Sequence, residues 1–164
     1  MVALGVINDN WGTSLSSVTG GGVSSWHSAT AVDYDGTDGQ MLQIWYGVVA
    51  SAGASTLKLT WSASVGNYHL DLEEFSAGAG ATWSVGPSAT SASPFPSLKA
   101  PASGALYYGA AFAWGNAAAG ATPGVSYSVL ASSFLVAWDT SPSGALSPTG
   151  TGAGSVAVLL EATT

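Results

Sequence analysis

The chain has no cysteine, and only two of its 164 residues are lysine or arginine, both of them lysines. Without cysteine there is no disulfide staple, thiolate metal site or thiol nucleophile, so the fold must rest on its core. The shortage of cations weighs as heavily. Nine acidic residues against two lysines give a net charge of -7, whereas nucleic acids and anionic membranes are met by Lys/Arg clusters that release counterions or face headgroups. Neither nucleic acid nor membrane is an expected partner. Charged residues of both signs make up only 7% of the chain, against about 25% in ordinary domains. The solvated surface must therefore consist largely of Ser, Thr, Gly and Asn. Long apolar runs are missing too: the longest, residues 105–114, is interrupted by Gly109, and a membrane helix needs about 20 apolar residues. The first residues run from Met1 through a short apolar stretch to Asn8 with no basic region, so no targeting segment is expected.

What is present argues for a packed β protein. Apolar residues reach 47%, with 7 Trp, 6 Tyr and 4 Phe, a composition that disordered chains lack. A domain of about 150 residues buries about 70% of its unfolded surface, so residues 1–164 are read as one domain. Period-two alternation dominates, which marks strands with one buried face. Leu42, Ile44, Tyr46 and Val48 share a face, as do Leu57, Leu59 and Trp61, then Tyr68, Leu70 and Leu72, then Phe134, Val136 and Trp138, then Val156, Val158 and Leu160. Leu106, Tyr108, Ala110, Phe112 and Trp114 form the longest such face. Behind them lie Gly109, Ala111 and Ala113, small enough for something to pack closely on that side.

Turn chemistry separates these runs: the triple glycine 20–22, Asp35-Gly36, Asp38-Gly39, Pro123-Gly124 and the Pro/Gly-rich stretches 142–144 and 148–154. The reading is an all-β antiparallel sandwich, immunoglobulin-like or jelly-roll, of about nine or ten strands. Its expected core is Leu42, Ile44, Leu57, Leu59, Leu70, Leu72, Leu106, Tyr108, Phe112, Val136, Val158 and Leu160. Residues 84–102 are expected to form a long connection with one short strand near 88–92.

Several segments, in order, resemble a known module: Gly20-Gly21-Gly22-Val23-Ser24-Ser25-Trp26, Gln43-Ile44-Trp45-Tyr46, Glu74-Phe75-Ser76-Ala77-Gly78, Gly104-Ala105-Leu106-Tyr107-Tyr108-Gly109-Ala110-Ala111 and Val156-Ala157-Val158-Leu159-Leu160. They are similar to a glycine/serine-rich β-sandwich module found in phage structural proteins (tail, fibre, decoration) and in bacterial extracellular proteins. The resemblance implies an adhesive or structural role and a place on a virion or a cell surface. In that module a further strand usually precedes the one matching Val2, Ala3, Leu4, Gly5, Val6 and Ile7. This apolar stretch, uncharged before Asp9, is accordingly expected to be a bare sheet edge that another subunit covers.

Candidate chemistry is sparse. Asp33, Asp35 and Asp38 could chelate Ca²⁺ through carboxylate oxygens, but the bland reading is a hairpin connection built on Asp-Gly turns, so no cofactor is expected. No Gly-x-Ser-x-Gly elbow occurs. His27 and His69 are read as sheet-face residues and Glu74 as a structural, hydrogen-bonding carboxylate, so no residue is assigned a catalytic role. Trp61, Trp114 and Trp138 fall on core faces. Trp11, Trp26, Trp45 and Trp83 remain as candidates for stacking on a sugar. The function expected is a non-enzymatic structural or assembly module, partnered by copies of itself or by a capsid, tail or surface protein. The alternative is a carbohydrate-binding module using exposed Trp and Asp/Asn side chains.

Overall fold

A computed structural model describes residues 1–8, 12–33, 41–53, 56–92, 94–101 and 104–164. Among these the chain is all strand and turn, in an antiparallel sandwich. The strands are β1 (Val2–Asn8), β2 (Leu15–Gly20), β3 (Val23–Asp33), β4 (Met41–Val49), β5 (Leu57–Trp61), β6 (Tyr68–Glu74), β7 (Thr82–Ser91), β8 (Leu98–Lys99), β9 (Ala105–Phe112), β10 (Ser126–Ala131), β11 (Phe134–Asp139), β12 (Ala145–Leu146) and β13 (Gly154–Thr163). One sheet has the order β3-β4-β1-β6 and the other β10-β11-β9-β13-β7, with two small ribbons, β2-β5 and β12-β8, outside them. The two-residue strands and the serine-rich β2 and β10 carry too little alternation to be counted from sequence.

The main core lies between the two large sheets. Ala3, Ile7, Leu42 and Ile44 from one face Leu106, Tyr108, Phe112, Phe134, Val136, Val156, Val158 and Leu160 from the other. Both sheets are also covered on their outer faces. The β2-β5 ribbon lays Leu15, Val18, Leu57, Leu59 and Trp61 over Leu4, Val6, Trp45 and Leu70. Gln43 fastens this layer: its Oε1 accepts from the Leu15 amide at 2.7 Å and its Nε2 donates to the Leu15 carbonyl at 3.4 Å, as a neighbouring strand would. Between β2 and β3 the chain reverses through Gly20, Gly21 and Gly22, at φ of 87°, 72° and 70°. Side chains rarely adopt that conformation, which explains the triple glycine.

Covering both faces overturns the expectation for the N-terminal segment. Val2, Ala3, Leu4, Gly5, Val6 and Ile7 form an interior strand, paired along its whole length with β4 on one side and β6 on the other. Every residue of β1 is buried. The run is apolar at successive positions because both of its faces are packed, as in strands at the centre of layered sheets, and it is no assembly edge.

Three further expectations change. Leu72 is 44% exposed, because the face of β6 that meets the other sheet is the polar one, His69, Asp71 and Glu73, and the β2-β5 ribbon does not reach over Leu72. Trp114 is 57% exposed; β9 ends at Phe112, the chain turns at Gly115, and the indole rests edge-on against Phe112 at 4.7 Å. In place of a short strand near 88–92, β7 runs for ten residues along β13. A break in register opposite residues 158–160 takes up Gly86 and Pro87, and so hides the strand from a periodicity reading.

The small reverse face of β9 is packed as its composition suggested. Phe95, in the connection after β7, lies with Ala111, Leu135 and Ala137, and a Cβ built on Gly109 would sit 2.9 Å from the Phe95 ring. Gly109→Ala is therefore expected to cost about 1–3 kcal/mol by overpacking. In a Phe95→Leu background the cost should shrink, which a double-mutant cycle of urea unfolding measures.

Candidate functional site

The polar residues that the fold brings together lie in three places: inside the sandwich, at one end, and along one flank. Inside, Tyr108 reaches from β9 across the core to the opposite sheet. Its Oη accepts from the Gly5 amide at 3.1 Å and donates to Asp71 Oδ2 at 2.9 Å. Glycine is what admits the phenol, since a Cβ on residue 5 would stand 3.0 Å from that oxygen. Ser128 of β10 also hydrogen-bonds the Asp71 carboxylate. Asp71 is 5% exposed. Burial pushes its carboxyl above the ordinary range, against the lowering effect of Tyr108 and Ser128. Glu73 is raised likewise, by burial first and then by the Asp71 charge. Burial and Asp71 hold the Tyr108 phenol far above its usual value. The group is a hydrogen-bonded strut between sheets, and the structural carboxylate is Asp71, whereas Glu74 is exposed at the end of β6.

At the end of the sandwich two hollows share a wall made by Phe75, Ser76 and Ala77, and Trp83 lines both. The larger, about 360 Å³, also takes in Ser51 and Glu74. The smaller, about 120 Å³, takes in Gly104, Leu106 and Thr140. Neither lining includes a lysine or histidine. Phe75 is anchored by its amide on the Met1 carbonyl at 2.8 Å and by edge contacts with Tyr108 and Trp138.

Of the candidate tryptophans for sugar stacking that lie among the described residues, Trp83 lines both of these hollows. Trp26 packs into the β2-β5 layer, and its Nε1 donates to the Gly20 carbonyl at 3.0 Å. Trp45 is 8% exposed in the same layer, so no ligand can stack on its face. Trp11 lies outside the described residues. Asp33 is exposed at the end of β3, opposite Met41 of β4, as in a hairpin; Asp35 and Asp38 lie outside the described residues. Sequence alternation could not single out Trp83, because β7 was itself hidden.

The third place is the flank where β6 and β10 end their sheets. It exposes Tyr68 and Leu72 on β6 and Val129 and Leu130 on β10. No family model, curated protein or solved structure matches this chain.

The strut has a pH signature. Asp71 and Glu73 have raised carboxyls in the folded state, so each favours folding fully below the ordinary carboxyl pKa. That contribution is lost as pH rises through the raised value. The melting temperature should fall as pH rises above the ordinary carboxyl range, and Asp71→Asn should flatten the slope. Tyr108→Phe leaves a buried carboxylate short of a donor and should cost about 1–3 kcal/mol, read by urea unfolding at constant pH.

Proposed function

We propose that this chain is a non-enzymatic structural module, of a phage particle or a bacterial surface assembly, that associates with copies of itself. The observation that carries this reading is the β6/β10 flank. Two open strand edges lie side by side there, with Tyr68 46% and Leu72 44% exposed. Soluble sheets normally cover, charge or break such edges; β6 carries Asp71, Glu73 and Glu74 but neither lysine nor proline, and its ladder with β1 is unbroken. Resemblance to the glycine/serine-rich module supports the structural role. The buried carboxylate of Asp71 is engaged by Tyr108 and Ser128 in holding the two sheets together, an arrangement that serves stability. Sedimentation over a micromolar dilution series tests the reading: a reversible dimer or larger species is expected, and a monomer at every concentration would overturn it.

A second reading, a carbohydrate-binding module, is favoured by one observation, the placement of Trp83. Trp83, partly buried against the main core, lines the end clefts together with Ser51, Ser76, Thr140 and Glu74. Aromatic surface edged by polar groups suits a neutral sugar. Calorimetric titration of maltotetraose, cellotetraose and chitotriose should show binding that Trp83→Ala removes and Trp114→Ala leaves intact. No heat from any of the three at about 10 mM, weaker than the millimolar regime, would end this reading.

A further inference from the structure

Among the described residues the two large sheets end in four edge strands, β3, β6, β7 and β10, and three of these have interrupted ladders. The β3 ladder breaks between Val23 and Trp26 and again between Ser28 and Thr30. The β10 ladder breaks between Val129 and Ala131, and β7 contains Pro87 within its own break. Bulges and proline are the usual devices that keep an edge from recruiting another strand. β6 has neither. Its seven residues, Tyr68–Glu74, pair with β1 in unbroken register and contain no proline and no lysine.

The β6 sequence is also complementary to itself. When two antiparallel copies are related by a two-fold axis through Asp71, all seven residues pair. His69 then lies opposite Glu73 twice, Leu70 opposite Leu72 twice, and Tyr68 opposite Glu74 twice. Opposed residues share a face in such a pairing. The histidine–glutamate pairs fall on the side facing the second sheet, and the leucine pairs fall on the outer side, where Leu72 is exposed. Asp71 meets its own copy at the axis, but its carboxylate is turned inward onto Tyr108 and Ser128. Moving the axis to Leu72 sets Asp71 against Glu73, two carboxylates, and moving it to Leu70 leaves Glu73 and Glu74 unpaired. The register centred on Asp71 is thus the one that uses the whole strand and matches charge.

We propose that β6 is a homodimerisation edge: it pairs antiparallel with β6 of a second copy, centred on Asp71, and joins two four-stranded sheets into one of eight strands. The occupant is a second copy of this chain, bound by strand addition through an isologous two-fold contact. Exposed Val129 and Leu130 of the adjacent β10 lie on the same flank. The inference rests on the self-association reading and adds to it the strand, the symmetry and the register.

A charge exchange tests it. The chain and its variants are compared by sedimentation equilibrium in one buffer, with circular dichroism melts to confirm folding. His69→Glu opposes two carboxylates at each of two symmetric positions and should raise the dimer dissociation constant at least about tenfold. The double variant His69→Glu/Glu73→His restores both pairs and should return within about threefold of the parent. Leu72→Lys, at a position 44% exposed, should abolish the dimer while the melt shows that the variant still folds. If the parent is monomeric at about 100 µM, well above a micromolar dissociation constant, both the self-association reading and this one are overturned. If the parent associates while His69→Glu and Leu72→Lys associate equally well, self-association stands and the β6 edge is wrong. Failure of the double variant to recover would overturn the Asp71-centred register.

Discussion

A single phenol ties the two halves of this sandwich together. Tyr108 spans the core to reach a backbone amide and a carboxylate on the opposite sheet, and much of the local design follows from that reach. Glycine suits residue 5, because a Cβ there would stand 3.0 Å from the hydroxyl and press on it. β6 has to turn its polar face inward, because Asp71 is the acceptor. Once Asp71 points inward, alternation sends Leu70 and Leu72 outward, and the outer face of that sheet becomes apolar as well. The β2-β5 ribbon then has a surface to cover, which it does over Leu4, Val6 and Leu70 but not over Leu72.

The same logic explains how a chain so poor in charge assembles a layered fold. The central strands of each large sheet bury both faces, one against the other sheet and one against connecting segments. Phe95, Leu98 and Leu146 do for the second sheet what the ribbon does for the first. Polar connections would leave these outer faces wet. Their aromatic and aliphatic anchors instead make the loops part of the core, and the buried Tyr107 hydroxyl donates to the Pro96 carbonyl at 2.9 Å.

Sequence reading recovered what depends on local pattern and missed what depends on neighbours. The faces of β4, β9, β11 and β13 were legible because each alternates cleanly and meets the other sheet on its larger side. The close packing behind Gly109, Ala111 and Ala113 was legible for the same reason. Period two cannot say which face of β6 turns inward, and there the more apolar face is the outer one. Nor can an unbroken apolar run such as β1 distinguish an exposed edge awaiting a partner from a strand enclosed on all sides. The Trp83 clefts were invisible, because they arise where residues 48–52, 74–78, 81–83 and 104–106 converge with Met1, Thr140 and Ala162 from distant parts of the chain.

Charge scarcity also bears on how the edges are managed. A protein rich in lysine can guard a sheet edge with side chains alone, at almost any register. This chain has Lys58 and Lys99, and neither lies on an edge of the two large sheets. Protection then has to come from the backbone, as a bulge or a proline, and each such device costs ladder hydrogen bonds in the strand that carries it. A bulge in β6 at Asp71 would disturb the register that aims this carboxylate at Tyr108. The strut is therefore served by a β6 that is regular there, and a regular strand without proline leaves its outer backbone edge guarded by its own carboxylates alone. Under the pairing proposed above, the group that joins the two sheets also keeps that edge straight enough to receive a second copy.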